Sequence, residues 1–274
     1  MKLKQLASLL WRIVLLGVTL ASCGSAWAAS GGCYHTNSGT SNGDTAMGGT
    51  GTGGTGVIAE DTGAGGTGAV AEDTGTGGTG IRLGVYITEM QLAGNVTVSQ
   101  GSVEAQSNGR SRLLAKGDPV CVGETIMTSQ SGLVQIRMKD DSLISVRPQT
   151  QLKIEKFVYG GTSKDSRLLA LLKGSFRIIS GKIGKQYPKN DVIKTPTATI
   201  AVHGADHEAA VILPDEGGSY PSGTYVKVNN GIIFIRTEKG EVDIHANQVG
   251  FAADNGVLPT LLNEMPGFFN ASSP

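Results

Sequence analysis

Short runs of β-branched and other apolar residues, separated by turn-forming residues, dominate the chain from Ile81 onward. The runs recur at intervals of about eight to twelve residues, a spacing typical of sandwiches and barrels. Val134, Ile136 and Met138 alternate with polar residues, which is the two-residue period of a half-buried strand. Ten or more such runs with hardly a helical pattern predict an all-β domain over 81–255, built as a sandwich or a solenoid-like prism.

Local turn signals support the same fold class. Asn108-Gly109 suits the positive φ angles of a tight hairpin. Asp140-Asp141 is also expected to turn the chain, with both carboxylates in solvent. Only Ser166–Lys173, with its clustered leucines, is as compatible with a helix as with a strand. Residues 256–274 are expected to form a C-terminal tail.

Residues 29–80 have the composition of a linker. The segment 31–80 holds 18 of the 41 glycines and almost no large apolar side chains. A 12-residue repeat is visible, since Glu60–Gly68 returns in nearly identical form as Glu72–Gly80. Glycine loses the most backbone entropy on ordering, and the repeats offer little apolar area to offset that loss. We therefore expect a disordered Gly-rich tether; its repeat lacks the frame of calcium-binding nonapeptides.

The N-terminus has the organisation of an export signal over residues 1–28. Lys2, Lys4 and Arg12 form a positive region, and Ile13–Ala21 is an apolar run too short to span a bilayer. The sequence therefore predicts an exported protein of the periplasm or outer membrane of a Gram-negative-type bacterium.

Two processing sites compete within this signal. Leu20-Ala21-Ser22-Cys23 has the form of a lipobox, in which the signal ends at residue 22 and Cys23 is lipidated. Ala26-Trp27-Ala28 has the form of an ordinary cleavage site. A membrane contact is expected only through a lipidated N-terminus.

Cysteine content agrees with export. Cys33 and Cys121 remain after either cleavage, and an oxidising compartment permits a disulfide between them. The alternative is two unpaired thiols, with Cys121 a small buried hydrophobe.

Charge and motifs exclude several function classes. The net charge is zero, and no polybasic stripe with interleaved aromatic residues is present, which argues against nucleic-acid binding. No nucleophile elbow, phosphate loop or H-E-x-x-H helix occurs, so we predict a protein that is not an enzyme and needs no cofactor. Arg137, Arg147 and Arg177 lie on predicted strands, where they form either an anion-binding patch or ordinary exposed faces.

The densest cluster of metal-ligand residue types is His203-Gly204-Ala205-Asp206-His207-Glu208. In a strand His203 and His207 would share one face, with Asp206 and Glu208 on the other. Two ligands are too few for zinc, so a distant residue such as His245 would have to complete the set. We expect no metal here, and keep His203 and His207 as weak candidates.

Residues 99–250 resemble a FecR domain, through several segments in the order of that family. These include Gly101-Ser102-Val103, Val134–Ser142, Leu172–Arg177 and Val226–Gly231. The strongest is Lys194–Asp206, which is similar to the family signature at Thr195, Pro196, Ala198, Ile200, Gly204 and Asp206. It departs from the signature where Ala201 replaces a glycine, His203 an arginine and Ala205 a threonine.

The resemblance implies a periplasmic module of iron-citrate-type signalling regulators. Those regulators carry a cytoplasmic anti-sigma segment and a membrane helix, in whose place this chain has a signal sequence and a tether. We therefore expect a non-catalytic binding or signal-relay module of the cell envelope, with an unknown envelope protein or glycan as partner. The alternatives are a structural envelope or surface protein and, more remotely, a metal-dependent enzyme centred on His203 and His207.

Overall fold

The all-β prediction is confirmed by a computed structural model that describes residues 33–40, 67–70, 83–216, 218–254 and 256–269. The described residues form two sheets, one of three strands and one of fifteen. The small sheet contains β1 (Cys33–Thr40), β2 (Thr67–Val70) and β3 (Leu83–Met90), with β3 in the middle.

The large sheet follows from Leu92 onward. Its first strands are β4 (Leu92–Gln100), β5 (Val103–Ser107), β6 (Arg110–Leu113), β7 (Pro119–Cys121), β8 (Thr125–Thr128), β9 (Leu133–Met138), β10 (Leu143–Val146), β11 (Gln151–Val158) and β12 (Ser166–Ile179). After the short helix α1 (Lys182–Gln186) come β13 (Asp191–Lys194), β14 (Thr199–Ile212), β15 (Gly223–Thr237), β16 (Gly240–His245), β17 (Val249–Ala253) and β18 (Thr260–Leu261). Single 3-10 turns lie at Pro188–Asn190, Pro214–Glu216 and Gly267–Phe269.

Two of the short strands fall inside the range predicted as a tether. Both β1 and β2 pair antiparallel with β3, which carries the β-branched and aromatic residues that favour extended structure. The rest of 29–80, together with the predicted signal sequence 1–28 and Cys23, lies outside the described residues.

Three long strands organise the large sheet. The first half of β12 pairs with β11 and β13, and its second half pairs with β10 and β14. The strands β14 and β15 pair with each other along most of their length. On its other side β14 pairs first with β13 and then with β12, and β15 pairs first with β17 and then with β16. Buried side chains from both halves belong to one continuous hydrophobic cluster, so the long strands carry the sheet from one side of the core to the other.

The alternation predicted for β9 is confirmed, because Val134, Ile136 and Met138 are all buried. The ambiguous segment 166–173 is a strand, since β11 and β13 satisfy its backbone on both sides. The hairpin turn at Asn108-Gly109 is confirmed by positive φ angles at both residues.

The paired aspartates behave differently from each other. Asp141 is exposed at the turn, with φ 65°, and forms an ion pair with Lys182. Asp140 is fully buried, contrary to the expectation of a solvated residue. Its carboxylate accepts hydrogen bonds from the hydroxyl of Ser142, at 2.6 Å, and from the backbone N–H of Ile183 in α1. A local turn pattern identified the bend but not the helix that covers it.

The C-terminal segment is part of the folded structure. Phe269 is buried in a second cluster with Ala210, Tyr225 and Val249. Phe268 contacts Tyr225 edge-on, with 5.3 Å between the ring centroids. These apolar side chains explain why the predicted tail packs on the outer surface of β14 and β15. Across the residues that the structure describes, no helix has the length and apolarity needed to cross a membrane.

Candidate functional site

The signature segment begins with a turn that links β13 to β14. Thr195 accepts a hydrogen bond from the backbone N–H of Ala198 at 2.9 Å and donates one to its carbonyl at 2.8 Å. The hydroxyl of Thr224, from the other half of the sheet, donates to Thr195 at 2.7 Å, and Thr197 donates to the carbonyl of Ala252. Pro196 presets the φ angle at this turn. This first part of the signature therefore joins the two halves of the sheet.

A bulge in β14 follows immediately. The register between β14 and β15 shifts between His203 and Asp206, and Gly204 has φ +62°. Before the bulge Ile200 and Val202 face the core; after it Ala205 and His207 do. His203 is consequently exposed and His207 fully buried. The expectation that the two histidines share a face is wrong. The pairing is irregular between His203 and Asp206 and again between Asp206 and His207, which breaks the alternation in β14 although the register is the same on either side.

His207 lies in the core, where its ring meets Phe176 edge-on with 6.0 Å between centroids. Burial, together with the positive charge of Arg167, lowers the pKa of His207 to about 3. The imidazole is therefore uncharged at neutral pH. Within the described residues no group of three His, Cys, Asp or Glu side chains is arranged to hold a metal ion. The pair of ligands that a metal-dependent enzyme would need is not formed.

A buried ion pair lies close to His207. The guanidinium of Arg167 makes a bidentate contact with Asp191, with Nε–Oδ1 at 2.9 Å and Nη2–Oδ2 at 2.7 Å. Its Nη1 donates to Ser142, which in turn donates to Asp140. Neither side chain of the pair is exposed. The sequence analysis missed this cluster, because its members are separated along the chain and follow no motif.

On the outer surface beyond the bulge, Asp206 and Glu208 lie within a network of cations and an amide. Arg177 binds Asp206 through two hydrogen bonds of 2.9 and 2.7 Å. Arg147 and Lys227 both form ion pairs with Glu208, the latter at 3.2 Å. Asn229 donates to both carboxylates at 3.3 Å.

This network determines the charge state of Asp206 and shows whether the three arginines form an anion-binding patch. Burial alone would raise the pKa of Asp206, but the hydrogen bonds from Arg177 and Asn229 lower it below its usual range. Two of the three arginines proposed for an anionic ligand, Arg147 and Arg177, are engaged by carboxylates of the chain itself. Arg137 is exposed on β9 and takes no part in this network.

His203 also projects away from the core, on the other side of the bulge. Its ring packs against Phe234, with 4.7 Å between centroids and a tilt of 59°. His203 pairs in register with Ile232, which pairs with His245 on the neighbouring strand. We define the outer face as the solvent side of β14 and β15 around these residues.

Cys121 is buried and disulfide-bonded. On the backbone, Cys33 pairs with Met90 and Cys121 pairs with Leu92, two residues further along the chain. The register therefore brings the two strands that carry Cys33 and Cys121 to neighbouring positions. The pairing of Cys33 with Cys121 stays a prediction.

Known proteins are similar to this chain in part. The FecR protein family matches residues 124–234, which include the signature segment and most of the outer face. Two crystal structures of a candidate anti-sigma factor from Parabacteroides distasonis ATCC 8503 share 15% and 16% identity with this chain, each with a TM-score of 0.42 over 54% of it. The chain spans 63% and 62% of those two proteins.

A third structure, a cell surface anchoring domain, shares 37% identity over 22% of this chain and 82% of its own length, with a TM-score of 0.22. No curated protein matches the chain significantly. The family match is narrower than the 99–250 of the sequence resemblance but includes its strongest element.

Proposed function

This chain carries a FecR domain at residues 124–234, and on that basis we propose that it is a non-catalytic binding module that relays a signal through protein contacts at the cell envelope. The observation that carries the proposal is the outer face. There the exposed ring of His203 packs against the partly buried ring of Phe234, beside the exposed Ile232. Protein interfaces typically combine aromatic side chains at their centre with a rim of polar residues, and here the charges of the neighbouring polar residues are paired with one another.

The state of the nearby acids supports a binding role rather than a catalytic one. A general acid or base works best when its pKa lies near the working pH. The pKa of Asp206 is instead lowered by Arg177, so this carboxylate stays charged at neutral pH. Glu208 is likewise held between Arg147 and Lys227. The network therefore links side chains of β12, β14 and β15 on the solvent side of the sheet.

The proposed location rests on the N-terminal signal. Mass spectrometry of the mature N-terminus distinguishes its two forms, because an acylated Cys23 indicates a membrane anchor and a free Ala29 a soluble periplasmic protein. A mature chain that retains Met1 and the intact apolar run would contradict cleavage at either site.

The binding role is tested by placing a photo-crosslinking amino acid at Phe234 of the full chain in its native host. We expect a discrete protein adduct that excess purified full chain suppresses. The matched control carries the same amino acid at Leu113, which is 69% exposed but lies on the outermost strand β6. No adduct at Phe234, or equal adducts at both positions, would overturn the proposal.

A further inference from the structure

Two complete register rows cross the solvent side of six neighbouring strands, from β11 to β16. Directly paired residues project from the same side of a sheet. The first row reads Lys156, Leu168, Val192, Ala201, Phe234 and Asp243. The second reads Lys153, Ala170, Lys194, Thr199, Arg236 and Glu241. Between them lies a row of core residues that includes Ile154, Leu169 and Ile200, so both rows lie on the side of the sheet away from this core, although Ala170 in the second row is itself buried.

The first row has opposite charges at its two ends and apolar side chains between them. Lys156 and Asp243 are both exposed, and neither forms an ion pair with any residue that the structure describes. The four residues between them are all partly exposed. The second row also begins with a lysine, Lys153, and ends with a glutamate, Glu241, but it carries Lys194 and Arg236 between them, and Glu241 already pairs with Arg236.

This arrangement is self-complementary under a two-fold rotation. If two copies face each other about an axis that runs along the strands, the β11 end of one copy meets the β16 end of the other. Lys156 then lies opposite Asp243 of the second copy, and Leu168 opposite Phe234. In the second row Lys153 lies opposite Glu241. A different partner protein would not require the basic and acidic ends of the first row to lie at equal distances from its apolar centre.

We propose that the partner of this surface is a second copy of the chain, bound face to face through the two rows. The inference rests on the proposed binding function and names its partner. Five strand spacings of about 4.8 Å make each row roughly 24 Å long. Two rows therefore cover less than the roughly 800 Å² per partner of a standard interface. The dimer is accordingly weak and concentration-dependent, and salt weakens it further because the charged ends are exposed.

Sedimentation velocity of the purified mature chain, over about two decades of micromolar concentration, measures the dimer directly. The charge reversals Lys156→Glu and Asp243→Lys each place two like-charge contacts in the symmetric dimer. Each variant alone should dimerise about tenfold more weakly or worse. Both positions are exposed, and circular dichroism verifies that the variants fold. Lys116→Glu, at an exposed position outside both rows, is the matched control and should dimerise normally.

An equimolar mixture of the two reversed variants gives the sharpest result. In the mixed dimer each new glutamate meets a new lysine, and each original lysine meets an original aspartate, so association should return. The double variant Lys156→Glu/Asp243→Lys should also dimerise with itself. A purely monomeric wild-type chain, or single reversals that leave the dimer unchanged, would overturn the inference. If the chain is monomeric but still forms an adduct with a different protein at Phe234, a second copy is excluded as the partner, whereas the proposed binding function stands.

Discussion

His203 and His207 lie four residues apart on one strand, yet one projects into solvent and the other into the core. The bulge at Gly204 separates them. It divides the signature segment into parts with different roles. His203 belongs to the outer face, whereas His207 belongs to the packing around Phe176 and Arg167.

The burial of His207 predicts acid sensitivity. Because its pKa is about 3 in the folded chain and about 6.5 when unfolded, the stability it contributes is fully present above pH 6.5 and is lost as the pH falls toward 3. In the variant His207→Leu, the free energy of unfolding should therefore fall less between pH 7 and pH 5 than it does in the wild type, by about 2 kcal/mol. Urea unfolding at several pH values measures this difference. Parallel profiles for the His207 variant and wild type would refute the argument.

Removal of Arg167 should be among the most damaging single changes. Arg167→Met leaves Asp191 buried without its ion-pair partner, at a cost of about 3–5 kcal/mol in the free energy of unfolding. The double variant Arg167→Met/Asp191→Leu should recover part of this loss, because it removes the unpaired charge. A double variant less stable than Arg167→Met alone would show that the charge is not the cause.

Two glutamates offer a matched comparison of buried and exposed ion pairs. Glu208, which is almost fully buried, accepts from Arg147, Lys227 and Asn229. Glu208→Gln should cost about 1–3 kcal/mol, because Arg147 loses its charged partner in a poorly hydrated place. Within one copy of the chain, Glu241→Gln breaks the exposed pair with Arg236 and should cost less than about 1 kcal/mol in the free energy of unfolding. Thermal and chemical unfolding rank the two variants, and an equal loss of stability would contradict the network's role.

The bulge itself can be tested at its two glycines. An added Cβ at Gly204 would meet nothing closer than 3.6 Å, so Gly204→Ala carries mainly the strain of its positive φ, about 1–2 kcal/mol. At Gly231, with φ +88°, the added carbon would lie 2.9 Å from Cα of Ala205. Gly231→Ala should therefore destabilise the chain more than Gly204→Ala. Denaturant midpoints of the two variants decide this order.

The predicted disulfide is accessible to peptide mapping. Proteolysis without reduction should release one linked pair of peptides containing Cys33 and Cys121. Cys121→Ser and Cys33→Ser should lower the unfolding temperature to the same extent, since both remove the same cross-link. A linkage of Cys121 to Cys23, or a Cys33→Ser variant as stable as wild type, would show that Cys33 is not the partner.

Local sequence patterns determined most of the fold class. The alternation at Val134, Ile136 and Met138 predicted β9 correctly, and Asn108-Gly109 predicted the hairpin between β5 and β6, because both patterns depend only on neighbouring residues. The leucine cluster at 166–173 was ambiguous by itself. Its strand conformation depends on pairing with β11 and β13, which supply hydrogen bonds from distant parts of the chain.

By itself, then, the sequence determined the all-β class and the signature segment. Only the tertiary structure decided which signature residues face outward, because the bulge at Gly204 is set by pairing with β15 rather than by the local pattern. It also decided that Arg167 and Asp191, 24 residues apart in the sequence, form a buried ion pair. It likewise placed Lys156 and Asp243 at the two ends of the first row across β11 to β16. Such relationships depend on strand register, and register is fixed by the side chains of several strands packing together on one core.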